Sequence, residues 1–251
     1  MDLTEARKRI IVAVDVPDLD KAWEITDKLD STGVLFKIGL ELIVPFGIGE
    51  ILNRLTTDQI ENDRFFIDAK LCDIPNTVGA AARQIAMCDV GMFNVHASAG
   101  ADAMAVAVQN RGVSKVLAVT ILTSLSNEQC KEIYGNEPND AVLLLALLAH
   151  TAGVQGLICS PKELTMLHEH RVAEDMLKIT PGVRPTWAAA NDQKRVMTPA
   201  EAIRAGATHL VIGRPITKPP ESLGGELYER MEKAVDLIAA EIAGAPAEVV
   251  A

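Results

Sequence analysis

Short apolar runs alternate along the chain with longer segments in which apolar and polar residues recur at helical spacing. Eight of these runs are β-branched or apolar over most of their length, which is typical of parallel strands that are covered on both faces. The predicted strands are Ile10–Asp15, Val34–Ile38, Arg64–Lys70, Met92–His96, Lys115–Ile121, Gln155–Cys159, Leu177–Thr180 and His209–Ile212.

The segments between these runs have the spacing of amphipathic helices. In Asp18–Leu29, four apolar side chains form one stripe: Leu19, Ala22, Ile25 and Leu29. A helix start is marked at Thr198, where a capping hydroxyl is followed by proline and, three residues later, by glutamate. The run from Glu41 to Leu55 is less regular because proline and glycines interrupt it. The other predicted helices are Asn76–Met87, Ala101–Asn110, Asp140–Ala152, Pro161–His168, Thr198–Ala205 and Gly225–Ile242.

Eight strand–helix units in 251 residues predict an α/β fold with one domain, the (β/α)8 TIM barrel. A doubly wound open sheet uses the same alternation and is the alternative. The count of eight favours the barrel, and so does the lack of a Gly-x-Gly-x-x-Gly motif after the first strand. No linker or repeat divides the chain, and we expect loose ends at Met1–Arg9 and Gly244–Ala251.

Composition and charge narrow the class of function. Apolar residues make up 49% of the chain and charged residues 23%, and no apolar stretch is long enough to cross a bilayer. With no signal-peptide pattern at its start, the protein is expected in the cytoplasm, without a membrane partner. A net charge of −10 argues against nucleic-acid binding, although a few cations in a cleft still suit an anionic small molecule. The spacing of the four cysteines predicts free thiols and no zinc site.

Charged residues gather where the predicted strands end, which is the edge at which barrels of this kind build their active sites. Asp68 and Lys70 lie two residues apart and therefore point to the same side of their strand. Charged side chains within an apolar strand are costly to bury unless they are paired. A structural ion-pair network is one interpretation. A set of four at adjacent strand ends favours catalysis instead: Lys37, Asp68, Lys70 and Asp73.

A second group of candidates lies in the loops after the last two predicted strands, which often hold a phosphate in these barrels. Arg184 and Arg214 offer bidentate hydrogen-bond donors for a phosphate, and Gly213 allows the backbone to approach the phosphate closely. Gln193 lies in the connection between them. Solvated arginines on ordinary turns are the alternative interpretation. The long segment Thr186–Arg195 predicts a lid over the ligand.

The segment Asp68–Val78, DAKLCDIPNTV, resembles the D-x-K-x-x-D-I-P-N-T signature of the orotidine 5′-monophosphate decarboxylase family. The signature core D-x-K-x-x-D also occurs in a sister group of sugar-phosphate decarboxylases, usually followed there by Ala-Gly. Further segments that resemble bacterial members make the likeness specific: VAVDVP at Val12–Pro17, FKIGLEL at Phe36–Leu42, NVHASAG at Asn94–Gly100, VTILTS at Val119–Ser124, ITPGVRP at Ile179–Pro185, DQKRVMTPAEAI at Asp192–Ile203 and VIGRPIT at Val211–Thr217.

The resemblance implies a homodimer that converts orotidine 5′-monophosphate to uridine 5′-monophosphate and CO2, the last step of de novo pyrimidine nucleotide synthesis, without metal or cofactor. It implies that Asp68 lies against the substrate carboxylate and that Lys70 donates the proton that replaces CO2. The remaining implied contacts are Asp15 and Lys37 with the ribose, Thr123 with the base, Arg184, Gln193, Gly213 and Arg214 on the phosphate side, and Asp73, Ile74 and Thr77 from the partner chain.

Two other functions stay open on the residues alone. A magnesium-dependent decarboxylase or epimerase of sugar phosphates needs carboxylates to hold the ion, and the predicted strand ends offer only Asp15, Asp68 and Asp73. A nucleotide sensor would keep the phosphate loops, but it has no need to bury several charges. His96, at the end of the fourth predicted strand, is interpreted as a hydrogen-bonded structural residue, and Cys72 as a spectator.

Overall fold

Eight parallel strands close into a barrel in the computed structural model, which describes residues 1–57, 60–188 and 197–244. Each strand pairs with the next along the chain, and the last pairs with the first. The strands are β1 (Ile10–Ala13), β2 (Leu35–Ile38), β3 (Phe65–Leu71), β4 (Met92–His96), β5 (Lys115–Val119), β6 (Gly156–Ile158), β7 (Leu177–Pro181) and β8 (His209–Ile212). The predicted (β/α)8 barrel is confirmed, and the open sheet is wrong.

Helices surround the barrel and connect its strands. The described α-helices are α1 (Leu3–Arg7), α2 (Leu19–Leu29), α3 (Leu40–Phe46), α4 (Ile48–Leu55), α5 (Pro75–Ala86), α6 (Ala101–Gln109), α7 (Asn127–Tyr134), α8 (Pro138–Thr151), α9 (Leu164–Glu169), α10 (Pro199–Arg204), α11 (Arg214–Thr217) and α12 (Leu227–Gly244). The irregular run from Glu41 to Leu55 becomes α3 and α4, which meet at Gly47 with φ of +74°. Helix α7 was not predicted, because only Cys130 on it is buried and it lacks a broad apolar stripe.

Two layers of apolar side chains form the core. The larger layer lies between strands and helices, and a smaller cluster fills the barrel interior with Ile11, Phe66, Met92, Leu117 and Ile179. Side chains alternate between the two faces of a strand. The residues two positions further along these strands therefore face the same interior, closer to the carboxyl ends, and this places charged and polar groups of β3 and β4 there.

The chain ends differ from the expectation. The prediction of a loose segment at Met1–Arg9 is wrong, because α1 packs against α12 and buries Ala6. The guanidinium of Arg7 lies 2.7 Å from the carboxylate of Asp236 and ties the two helices together. At the other end, Gly244 closes α12, and residues 245–251 lie outside the described part. None of the described helices has the length and apolar character needed to cross a membrane.

Candidate active site

A cavity of about 220 Å³ opens at the carboxyl ends of the barrel strands. Among its described lining residues, the charged groups all come from β2 and β3, and the opposite wall is mostly apolar. Charges beside a low-dielectric wall interact more strongly than they would in water. The lining residues are Lys37, Phe66, Asp68, Lys70, Val119, Ile121, Leu122, Thr123, Ile158, Cys159, Pro181 and Val211.

Four side chains of alternating charge form an ion chain: three of them line the cavity, and the fourth, Asp15, lies next to Lys37. The ammonium of Lys37 lies 2.9 Å from Asp15 Oδ1 and 3.2 Å from Asp68 Oδ2. The ammonium of Lys70 donates to the other oxygen of Asp68, Oδ1, over 2.6 Å. Strand β1 ends at Ala13, so Asp15 reaches this chain from the loop after the strand and not from the predicted strand end.

The two buried members of this chain are held in their charged forms. Burial is the strongest single influence on Lys37 and lowers its pKa, but the carboxylates of Asp68 and Asp15 outweigh it and raise the pKa overall. For Asp68, burial favours the neutral acid, and yet the charges of Lys37 and Lys70 bring its pKa below the usual range. Both side chains are 11% exposed, so the pair is shielded from the screening that weakens ion pairs at the surface.

Sequence reasoning gave no role to two residues beside this ion chain. Asn94 of β4 is fully buried, and its Nδ2 donates to Asp68 Oδ1 over 2.6 Å. Gly39 follows β2, and a Cβ atom built there would lie 3.1 Å from Lys37 Nζ and 3.2 Å from Asp15 Oδ1. The signal for Asn94 was available, since a polar residue in an apolar strand requires a partner.

The predicted phosphate residues lie around the same edge of the barrel. Arg184 follows β7 and is 8% exposed, and its backbone N–H donates to the carbonyl of Met197 over 2.9 Å. Gly213 follows β8 and precedes α11, whose first residue Arg214 is exposed. Gln193, and with it most of the predicted lid at Thr186–Arg195, lies outside the described residues. Thr123 lines the cavity itself.

The remaining candidates lie outside this cavity. Asp73, Ile74 and Thr77 are exposed at the start of α5, and none of them is among the described residues that line it. The carboxylate of Asp73 accepts from the N–H of Ile74 over 2.7 Å, and the side chain of Ile74 is 66% exposed. Cys72 beside them is exposed as well.

His96 is half-buried at the end of β4. Burial and the nearby charge of Lys70 lower its pKa, against an opposing influence of Asp68. Neutral imidazole is therefore the form of His96 beside this ion chain at neutral pH. Within residues 1–57, 60–188 and 197–244, no group of three or more histidine, cysteine, aspartate or glutamate side chains has an arrangement that could hold a metal ion.

Comparison with known proteins assigns this chain to a protein family. The family model described as "Orotidine 5′-phosphate decarboxylase / HUMPS family" matches residues 8–223. The chain belongs to this family. The resemblance seen in the sequence motifs is thereby confirmed, and the matched range contains every member of the ion chain and every predicted phosphate residue.

Relatives within the orotidine 5′-phosphate decarboxylase family match over most of their length. A protein named orotidine 5′-phosphate decarboxylase from Synechocystis sp. is 42% identical over 219 residues, which cover 84% of this chain and 92% of the relative. One with the same name from Nostoc sp. is 44% identical over 225 residues, covering 85% and 92%. The crystal structure of orotidine 5′-phosphate decarboxylase from Lactobacillus acidophilus superposes with a TM-score of 0.73 at 30% identity, covering 94% of this chain and 99% of that one.

Proposed function

We propose that this enzyme decarboxylates orotidine 5′-monophosphate to uridine 5′-monophosphate and CO2, with Lys70 as the proton donor. The observation that carries the proposal is the ion chain from Asp15 through Lys37 and Asp68 to Lys70, which ends in an ammonium group at the cavity. Relatives that bear the name of this activity, at 42% and 44% identity over more than four-fifths of the chain, support the same substrate.

The reaction demands a fixed cation beside the reacting carbon. The bond between the pyrimidine C6 and its carboxylate breaks, CO2 leaves, and the electron pair stays on C6. The Lys70 ammonium stabilises this developing negative charge and transfers a proton to C6, which gives the uracil ring. Neutral Lys70 then takes a proton from water. We propose that Lys70 supplies the positive charge in this way and that the reaction uses no metal and no cofactor.

Asp68 has two roles in this proposal. Its carboxylate holds Lys70 in place, because the ammonium donates to Asp68 Oδ1 over 2.6 Å. It also lies against the substrate carboxylate, and the repulsion between the two disappears when neutral CO2 departs. Asp68 must stay ionised for both roles, which agrees with its lowered pKa beside Lys37 and Lys70. Lys37 and Asp15, the other members of the chain, bind the ribose hydroxyls.

The rest of the nucleotide is bound away from the reacting carbon. Thr123 contacts the base, and Arg184, Gln193, Gly213 and Arg214 bind the phosphate group. Binding energy from a phosphate that takes no part in the chemistry orients the ring. The burial of Arg184 and the position of Gly213 and Arg214 directly after β8 support this arrangement.

The active unit is a homodimer in which Asp73, Ile74 and Thr77 of one chain complete the site of the other. Their exposure supports this part of the proposal, since it leaves all three side chains accessible to a second chain, and Ile74 at 66% exposure offers apolar surface that an interface would bury. We also propose that the dimer works in the cytoplasm. All four cysteines are free, and one of them, Cys72, is exposed, as is typical of proteins in a reducing compartment.

The loss of ultraviolet absorbance of orotidine 5′-monophosphate, followed with and without excess EDTA, tests the proposal. We expect turnover that EDTA does not change and that disappears in Lys70→Ala. Turnover that EDTA abolishes would contradict the metal-free chemistry and favour the magnesium-dependent decarboxylases of sugar phosphates. Binding of uridine 5′-monophosphate without turnover would contradict the proposed enzymatic activity and favour a nucleotide sensor.

A further inference from the structure

The backbone of β3 is irregular where it carries the reacting lysine. Ile67 of β3 pairs with Phe93 of β4, and the next pair is Leu71 with Val95. Strand β3 thus advances four residues while β4 advances two, and Asp68 to Lys70 form a bulge. Lys70 adopts φ of +50°, in the left-handed region that L-amino acids disfavour. Something outside the regular ladder must hold this conformation.

Asn94, the residue between Phe93 and Val95 on β4, makes the two contacts that the bulge needs. Its Oδ1 accepts from the backbone N–H of Lys70 over 2.6 Å. Its Nδ2 donates to Asp68 Oδ1, also over 2.6 Å. Asn94 is fully buried, so water does not compete for either bond. A carboxamide is suited to this task because it offers one acceptor and one donor on the same rigid plane.

We propose that Asn94 is a positioning residue that holds Lys70 in its left-handed conformation and orients the Asp68 carboxylate toward it. The direction of the Lys70 side chain follows from its backbone conformation, and Asp68 Oδ1 receives both the Lys70 ammonium and the Asn94 amide. Without the amide, the bulge relaxes and the ammonium leaves its place beside the reacting carbon. This inference rests on the proposed function, because it assigns Asn94 a part in the same reaction.

Asn94→Leu removes both hydrogen bonds while keeping the branching and the number of heavy atoms of the side chain. Asn62→Leu is the matched control. Asn62 also makes two side-chain bonds, accepting from Thr56 over 2.6 Å and donating to the carbonyl of Cys88 over 2.9 Å, and it lies before β3 at the opposite end of the barrel.

We expect Asn94→Leu to lower kcat by about 10²-fold, the scale on which a misplaced reactive group slows an enzyme. The Kd for uridine 5′-monophosphate should stay within about threefold, because the contacts to the nucleotide remain. The control should change kcat by less than about threefold. Equal losses of kcat in the two leucine variants would show a merely structural role and overturn the inference. If the wild type itself fails to turn over orotidine 5′-monophosphate, the proposed function fails first.

Asn94→Asp decides the question if the leucine variant does not fold. An aspartate at position 94 can still accept from the Lys70 N–H, but it donates to Asp68 only when protonated. The charged or titratable groups near it are Asp68 and Lys70 of β3, Lys37 of β2 and His96 of β4, while Leu117 of β5, opposite it, carries no charge. We expect kcat relative to wild type to rise as the pH falls and the new carboxyl gains its proton. A ratio that is constant with pH would overturn the donor role.

Discussion

The ammonium of Lys70 donates to Asp68 Oδ1 over 2.6 Å, and one residue separates the two on β3. In a regular strand such neighbours point in the same direction and stand about 6 to 7 Å apart at their Cα atoms. The bulge between Ile67 and Leu71 lets the lysine turn back toward the carboxylate. On a straight strand the two side chains would only be neighbours. With the bulge, the Lys70 ammonium and the Asp68 carboxylate form a hydrogen-bonded ion pair at the mouth of the cavity.

The charge of Lys70 is expected to matter for the chemical step and little for binding. Lys70→Ala should lower kcat by at least about 10³-fold, since removing one group that stabilises charge in a transition state already costs about 10²- to 10³-fold. The Kd for uridine 5′-monophosphate, measured by calorimetry, should change far less. Lys8→Ala is the control, because Lys8 is an exposed lysine that pairs with Glu5 outside the barrel mouth. Retained turnover in Lys70→Ala would remove Lys70 from the mechanism.

Arg214 is expected to affect both binding and turnover. Arg214→Ala should raise KM for orotidine 5′-monophosphate by about tenfold or more and also lower kcat, because remote phosphate binding energy is used to orient the ring. Steady-state kinetics measure both constants. Arg204→Ala, on the exposed face of α10, serves as the control and should leave both unchanged. A wild-type KM in Arg214→Ala would mean that the phosphate binds elsewhere.

Mixed dimers test whether two chains share each site. Asp73→Asn and Lys70→Ala chains should each be inactive alone, and co-expression should restore one intact site in every mixed dimer. Random pairing makes half of the dimers mixed, so about a quarter of wild-type activity should return. Lys70→Ala mixed with Asp68→Asn is the control. Both residues line the cavity of their own chain, so no intact site can form. Inactivity of the first mixture would contradict the shared site.

His209 is expected to make the fold less stable in acid. Burial and the charges of Arg9 and Lys115 lower its pKa to about 4, from about 6.5 in an unfolded chain. The unfolded chain therefore binds a proton more tightly, and stability is lost as the pH falls from about 6.5 toward 4. Between pH 7 and pH 5 the free energy of unfolding of the wild type should fall by about 2 kcal/mol more than that of His209→Gln.

Urea denaturation of wild type, His209→Gln and His170→Gln at both pH values measures this effect. His170 is exposed, and its variant should lose as much stability as the wild type. If His209→Gln and the wild type lose stability equally between pH 7 and pH 5, His209 is not the group responsible.

Local patterns were sufficient for the architecture. The strands are short apolar runs, and the predicted helices repeat their apolar residues every three or four positions, so these elements follow from neighbours in sequence. The predicted β4 and β8, Met92–His96 and His209–Ile212, coincide with the observed strands. The carboxyl ends of parallel strands meet at one edge, and this was enough to expect Lys37, Asp68 and Lys70 close together.

The barrel, the family motifs and the charged residues at the strand ends could all be predicted from the sequence, because these depend on spacing along the chain. How those charges are held became visible only in the three-dimensional structure. The bulge in β3 depends on how β3 pairs with β4, and Asn94 meets Lys70 across 24 positions of sequence. The packing of α1 on α12 likewise joins the two ends of the chain. Such contacts join residues far apart along the chain and depend on strand register, which no local pattern records.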